Sequence, residues 1–329
     1  MNLQRRAWLR CVALGGSAAG LAAALSGCGR EPALTVAYHP WPGYAPLHLA
    51  DSLGWWDDGQ LRSLPTASAT ASHAALAEGR AQVAALTLDE VLLAHAQGLA
   101  LRVVGLLNLS HGADVVLARA GFEHPARWRG ARLGREAGAL GELMALSWLE
   151  YADLGVHDVQ MLTVRPDEHE RAFMDGSVDL LVTYEPVATR LRALGARRLF
   201  DSSQLPAQRP IADVLAAHTG ALRRQPRALR RLLRHTFQAQ SHLLKLPVDA
   251  RLRLAPWLGV APAQVMATFR GLRLTRWHDN RHWLMGHPAP LQQAAESLAR
   301  FLFGVGLLPH PRVAPELISP DALPAQDPP

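Results

Sequence analysis

The chain has 329 residues, 49% of them hydrophobic, enough for a buried core and about two domains. Basic residues outnumber acidic ones by only 34 to 28, and nearly all are arginine, with Lys245 the single lysine. The bias assigns no chemistry, and the sequence shows no solenoid repeat.

Residues 1–27 read as an export signal rather than as fold. Arg5 and Arg6 precede an apolar stretch, and Leu25-Ser26-Gly27-Cys28 follows it. The apolar part is short for a membrane span. Leu-Ser-Gly-Cys resembles a bacterial lipoprotein box, which implies cleavage before Cys28 and lipidation of its sulfur. Gln4 to Arg10 resembles a twin-arginine export motif, with Trp8 where Phe is common. Processing removes Cys11 and occupies Cys28, so no disulfide forms within the mature chain. Nothing after residue 28 reads as a second span, so the expected product is a soluble body tethered to a membrane outside the cytoplasm.

Strand and helix signals then alternate. A strand at 34–37 leads into the turn His39-Pro-Trp-Pro-Gly-Tyr44, where Pro40, Pro42 and Gly43 bend the chain. A helix follows over 46–56, then a strand at 61–65 and a hydroxyl-rich loop from Ser68 before a second helix. A strand at 83–86 ends at Thr87, which caps a helix over 88–97 with Asp89 and Glu90 in its first turn. A strand at 101–107 precedes the loop 108–114. A second unit has strands near 115–117, 131–134, 159–164, 178–183 and 198–200, with helices over 140–154, 167–174 and 187–194. A strand at 214–217 returns to the first unit. Helices over 222–246, 262–269 and 290–302 follow, with Pro226 in a first turn, then a proline-rich tail over the surface. This rhythm predicts parallel sheets with helices on both faces.

In such sheets ligands bind at the carboxyl ends of strands, beside helix N-termini. The candidate ligand-binding residues there are Trp41, Tyr44, Ser68, Thr87, Ser110, His111, Glu136, Tyr184, Glu185 and Asp213. Serines and threonines at these places also serve as helix caps. Asp89, Asp114, Glu136, Glu185 and Asp213 lie near loop ends, where few basic residues do, Arg135 being the nearest. A buried carboxylate needs a partner, and a cationic or N–H-rich ligand is one, a salt bridge or cap another. An anion could still bind through helix N–H groups. The histidines at 278, 282 and 287 have a spacing compatible with zinc, though a surface loop accounts for them; no metal is expected. Six arginines between 223 and 234 make a solvated helix face or a contact with anionic lipid, and no nucleic-acid site. The chain has no Gly-x-Ser-x-Gly elbow, Walker loop or His-Glu-x-x-His, and no catalytic role or cofactor is expected.

Trp41-Pro-Gly-Tyr44 with Pro46-Leu47 and Leu53-Gly54 resembles the start of periplasmic substrate-binding proteins of the nitrate/sulfonate/taurine and thiamine-precursor group. Thr87 to Val91, Ser110 to Asp114, Arg135-Glu136, Phe173 to Asp179, Thr183 to Pro186, Leu199 to Ser203 and Asp213-Val214 are similar to that group in order and spacing. The resemblance spans about residues 33–310. It implies an α/β type II periplasmic-binding-protein fold: lobe 1 from 33–111 plus 213–310, lobe 2 from 112–212, a two-crossover hinge and a ligand in the cleft. A signal peptide (1–27) and a lipidated linker (28–32) precede the lobes, and the tail (311–329) follows. It also implies a monomeric, membrane-anchored receptor on the periplasmic side, serving an ABC permease and its ATPase. A ligand sensor coupled to a membrane signalling partner is the alternative. The pyrimidine-synthesising enzyme branch of the same fold carries a cysteine-rich motif that this sequence lacks. The carboxylate-rich loops favour a nitrogen compound, an amine or a pyrimidine, over a sulfonate or nitrate-like anion.

Overall fold

The structure, a computed structural model, describes residues 32–328. The export segment, Cys28 and the linker as far as residue 31 lie outside the described residues. The first run of elements is β1 (Leu34–Tyr38), α1 (Ala45–Ser52), β2 (Leu61–Pro65), α2 (Ala69–Ala77), β3 (Val83–Thr87), α3 (Leu88–Ala96) and β4 (Leu101–Ser110). Then come β5 (Asp114–Ala118), β6 (Arg132–Arg135), α4 (Ala139–Tyr151), β7 (Gln160–Thr163), α5 (His169–Met174), β8 (Leu180–Tyr184), α6 (Val187–Ala193) and β9 (Arg197–Asp201). The chain returns through β10 (Ile211–His218), α7 (Thr219–Arg224), α8 (Pro226–Lys245), α9 (Pro247–Leu258), β11 (Leu272–Leu274), α10 (Trp277–Leu284) and α11 (Pro290–Gly304).

These strands form two sheets, ordered β11-β4-β10-β3-β1-β2 and β7-β6-β8-β5-β9. The sheets are mixed, not parallel as the rhythm predicts. β1 is parallel to β2 and β3, and β6 to β7 and β8. β10 and β5 are antiparallel to their neighbours. Each of these two strands is entered directly from the other sheet, so no crossover helix reverses its direction.

Burial on both faces explains the continuous apolar runs. Leu34, Val36 and Tyr38 of β1 pack with α1, α8 and α9, while Ala37 faces the side covered by α2, α3 and α11. In the second lobe Val115 and Leu117 pack with Val178 and Leu191, and Val116 faces the fully buried Trp148.

Two crossovers join the lobes, and short hydrogen bonds stitch them together. The Ser110 and Ser202 hydroxyl oxygens lie 2.8 Å apart, and the Gly112 N–H donates to Ser202 Oγ at 2.7 Å. The His111 N–H donates to the Gly271 carbonyl at 2.6 Å. Gly271 has φ +81°, and a Cβ there would stand 2.4 Å from the carbonyl carbon of Gly112. Neither backbone can yield cheaply. Gly271→Ala is therefore expected to destabilise the protein by about 2–4 kcal/mol, combining left-handed strain with overpacking. Denaturant unfolding measures this, and an unchanged midpoint would contradict the close approach.

Several elements differ from the sequence expectation. Residues 108–110 continue β4, because β10 and β11 pair with them. The helix expected over 46–56 stops at Ser52, whereas Pro226 opens the main basic helix as expected, with the short α7 before it. α9 begins at Pro247 and contains Pro256, residues that read as breakers. His278 and His282 lie on α10 rather than in a loop, and no metal-competent group of histidine, cysteine or acidic side chains occurs among the described residues. The tail is docked rather than merely draped: Val103 N–H donates to the Leu317 carbonyl at 2.8 Å, and Ser319 N–H to the Val103 carbonyl at 2.9 Å.

Candidate functional site

The strand ends bring residues of both lobes to one cavity. From the first sheet come His39, Trp41 and Tyr44 after β1, Ala69 of α2, Thr87 and Glu90 at the β3–α3 junction, and Ile211 and Asp213 of β10. From the second come Asp114, Glu136, Leu140 and Tyr184. Register explains the grouping. Asp213 stands opposite Thr87, and Asp114 opposite Tyr184, so each pair shares one end of its sheet.

Asp213 organises the first wall. Trp41 donates its indole N–H to Asp213 Oδ2 at 3.0 Å, and the Tyr44 hydroxyl donates to Oδ1 at 2.7 Å. Asp213 is thus satisfied by two neutral donors and no cation. Trp41 also meets Tyr184 of the second lobe edge-on, with ring centroids 5.4 Å apart. The Tyr184 hydroxyl donates to Glu136 Oε2 at 3.5 Å. Gly141 lets Glu136 tuck against α4, since a Cβ there would lie 2.2 Å from the Glu136 carbonyl oxygen.

The electrostatics are one-sided. Glu90, Asp114, Glu136 and Asp213 line the cavity, and no lysine or arginine does among the described residues. Arg135, the nearest base along the chain, forms an ion pair with Glu142 instead. Burial raises Asp114 to about 7, and the Asp213 and Asp89 carboxylates push it the same way. Burial also raises Asp213 to about 7 against the pull of its Tyr44 and Trp41 hydrogen bonds, and Glu136 to about 7 against Tyr184. Glu90 lies well above the ordinary carboxyl range, through burial and then Asp89, itself lifted by burial to about 6. Burial drops His39 to about 4, so its ring is neutral near pH 7 and supplies no countercharge. Asp114 Oδ2 is buried with no hydrogen-bond partner. These carboxyls suit a cation or a cluster of N–H donors, and the rings of Trp41, Tyr44 and Tyr184 suit a cation over a π face.

Of the residues singled out in the sequence, Trp41, Tyr44, Thr87, Glu136, Tyr184 and Asp213 line this cavity. The others stand elsewhere. Ser68 caps α2, accepting the Ala71 N–H at 3.2 Å. Ser110 is held in the crossover, and His111 is exposed beside it. Glu185 accepts the Thr189 N–H at 3.1 Å and its hydroxyl at 3.0 Å, at the start of α6. Sequence reasoning passed over His39, Glu90 and the apolar wall of Ala69, Leu140 and Ile211, and named Asp114 among the loop-end acids without placing it in the ligand-binding set. Glu90 had a local explanation that is also true: it accepts the Thr87 N–H at 2.9 Å.

Residues 41–250 match the family model described as "NMT1/THI5 like". The chain belongs to the NMT1/THI5-like family. The architecture of this NMT1/THI5-like protein is the type II periplasmic-binding-protein fold, with the cavity in the cleft between its two α/β lobes. The alkanesulfonate-binding protein SsuA from Xanthomonas axonopodis pv. citri, bound to MOPS, superposes with a TM-score of 0.71 at 20% identity, over 89% of this chain and 99% of that one. The periplasmic aliphatic sulphonate binding protein SsuA from Escherichia coli gives 0.70 at 17% identity, over 91% and 93%. A cysteine-to-serine mutant of DSZB in complex with biphenyl-2-sulfinic acid gives 0.64 at 22% identity, over 89% and 98%. DSZB is described as a desulfurization enzyme, so this fold includes a catalyst as well as binding proteins. No curated protein matches the chain by sequence.

Proposed function

We propose that this NMT1/THI5-like chain is the solute receptor of an ABC-type importer, and that its cargo is a compact, cationic or N–H-donating nitrogen compound. The observation that carries the ligand class is the cavity lining: four carboxyls, the rings of Trp41, Tyr44 and Tyr184, and no lysine or arginine among the described residues. Binding works by difference. In the empty site burial raises Asp114, Glu136 and Asp213 to about 7, so they are only partly ionised near neutrality. An ammonium group entering the cleft restores their charge and releases protons. Trp41 and Tyr44 wall the ligand from one lobe, Tyr184 and Glu136 from the other. Closure is favoured by the contacts that only the closed form makes. About 20 Å³ of the cavity is open to the centre of a water-sized sphere, room for a water or a very small cation, so a larger cargo enters with the lobes further apart.

One observation favours an anion. Ala69, Thr87 and Leu140 line the cavity from the starts of α2, α3 and α4, and helix N-termini attract negative charge. Glu90 already occupies one of these ends, and an anion would also face the carboxyls. A thermal-shift series separates the two readings. Small primary amines and aminopyrimidines are expected to raise the melting temperature. Stabilisation by alkanesulfonates alone would overturn the cationic reading.

The receptor holds its cargo without transforming it, and no cysteine lines the cavity among the described residues. Conversion of a bound amine by purified protein would contradict this. A lipid at Cys28 anchors the receptor on the outer side of the cytoplasmic membrane or in the periplasm-facing outer membrane. No helix among the described residues is long and apolar enough to cross a membrane. Cys28→Ser is expected to move the protein to the soluble fraction, and undiminished membrane retention would sink the anchor.

A further inference from the structure

A groove beside the start of β1 is lined by Arg227, Arg230, Arg231 and Arg234 of α8, with Gln60 and Pro324. α8 buries Leu229, Leu232, Leu233 and Phe237 on its inner side. Its outer side repeats a basic residue at helical spacing. At about 100° per residue, Arg227, Arg230, Arg231, Arg234 and Lys245 fall on one stripe. Arg231 is paired with Asp58. Arg227, Arg230 and Arg234 are exposed and have no acidic partner among the described residues, nor do Arg223 and Arg224 on the preceding helix. Many arginines elsewhere carry a carboxylate: Arg102 with Glu316, Arg132 with Asp179, Arg190 with Glu170, Arg253 with Asp249. Arg227, Arg230 and Arg234 thus place three charges without acidic partners on one face of a single helix.

We infer that the α8 arginine face seats the receptor on an anionic lipid surface. This rests on the Cys28 anchor proposed above, which supplies the occupant. The Leu34 N–H donates to the Gln60 carbonyl at 2.8 Å, and Gln60 lines the arginine groove. Only six residue steps separate Leu34 from Cys28, a tether of about 22 Å even when fully extended. A short tether therefore holds the groove near the bilayer, and phosphate-bearing headgroups complement its charge. The orientation also serves capture. β1 runs from this groove at Leu34 toward the cavity, which His39 lines just past its other end, so the seated lobe keeps the cleft turned away from the lipid. The lipid supplies the attachment, and the basic face adds an electrostatic attraction to anionic headgroups that sets the orientation.

Vesicle flotation tests the seat. The probe is the full chain carrying Cys28→Ser, with vesicles of phosphatidylcholine alone or mixed with phosphatidylglycerol. The mixed vesicles are expected to retain more protein, and salt to erase the excess. Combining Arg227→Glu, Arg230→Glu and Arg234→Glu is expected to lower that excess partitioning roughly a hundredfold. Arg165→Glu, Arg171→Glu and Arg197→Glu together, which make the same charge change on the second lobe, are expected to leave most of it. The corresponding α8 glutamines should fall between wild type and the glutamates, which guards against misfolding as the cause. Equal loss from both triple variants would reduce the effect to net charge and overturn the seat, as would no excess on anionic vesicles. Recovery of exported wild-type chain in the soluble fraction overturns the anchor instead, and with it the orientation.

Discussion

Asp114→Asn is expected to weaken binding of an amine ligand by about two orders of magnitude, the scale of removing one partner from a buried charge pair. The change keeps the side-chain shape and removes only the charge. It acts on a carboxyl whose Oδ2 is buried and has no hydrogen-bond partner in the empty site. Glu136→Gln is expected to act in the same direction and more weakly, because Glu136 is half-buried and already takes the Tyr184 hydroxyl. Asp213→Asn is a less clean test. It exchanges an acceptor for a donor facing Trp41 and Tyr44, which both donate to it. Calorimetric titration distinguishes these cases. A sulfonate ligand would bind Asp114→Asn as well as wild type or better, and undiminished amine affinity in that variant would contradict the assigned role.

The second large effect is on stability against pH. Asp114, Glu136 and Asp213 are held protonated by the fold up to about 7, whereas in the unfolded chain they ionise near 4. Between those values these three groups bind more protons in the folded state than in the unfolded one. The ionisation of these three groups therefore costs the ligand-free protein stability as pH rises from about 4 through about 7. His39, His169 and His235, each lowered by burial to about 4, oppose this between about 4 and 6.5, where the unfolded imidazole is protonated and the folded one is not, so the net loss is concentrated between about 6.5 and 7. Denaturant midpoints measured across this range test the trend. Asp114→Asn should flatten the slope, and a saturating amine should restore stability on the alkaline side. A ligand-free midpoint that rises through neutrality would show that the carboxyls are already charged in the folded protein.

The two lobes were legible because parallel strands buried on both faces leave continuous apolar runs, as in Val83–Thr87, and glycines mark the ends of the helices between them. Strand direction was not legible. Whether β5 and β10 run with or against their neighbours depends on where the chain changes sheets, and side-chain periodicity is the same either way. The aromatic turn from Trp41 to Tyr44 and the acids at 136 and 213 stood out because no local partner accounted for them. Ser110 looked equally available, yet its hydroxyl meets Ser202, a residue 92 positions away that only the fold brings near. Glu90 was hidden for the opposite reason: a first-turn acid needs no further explanation, although this one also faces the cavity. α9 was hidden by its own prolines, one at its first turn and one inside it.

The most direct test of the central claim is calorimetric titration of the wild-type protein with a small amine and an alkanesulfonate, repeated across neutrality. A cation that must displace protons from Asp114, Glu136 and Asp213 should bind more tightly as pH rises through about 7, releasing protons as it does so. The sulfonate should bind weakly throughout. Tight sulfonate binding that strengthens as pH falls, with no heat from the amine, would contradict the account.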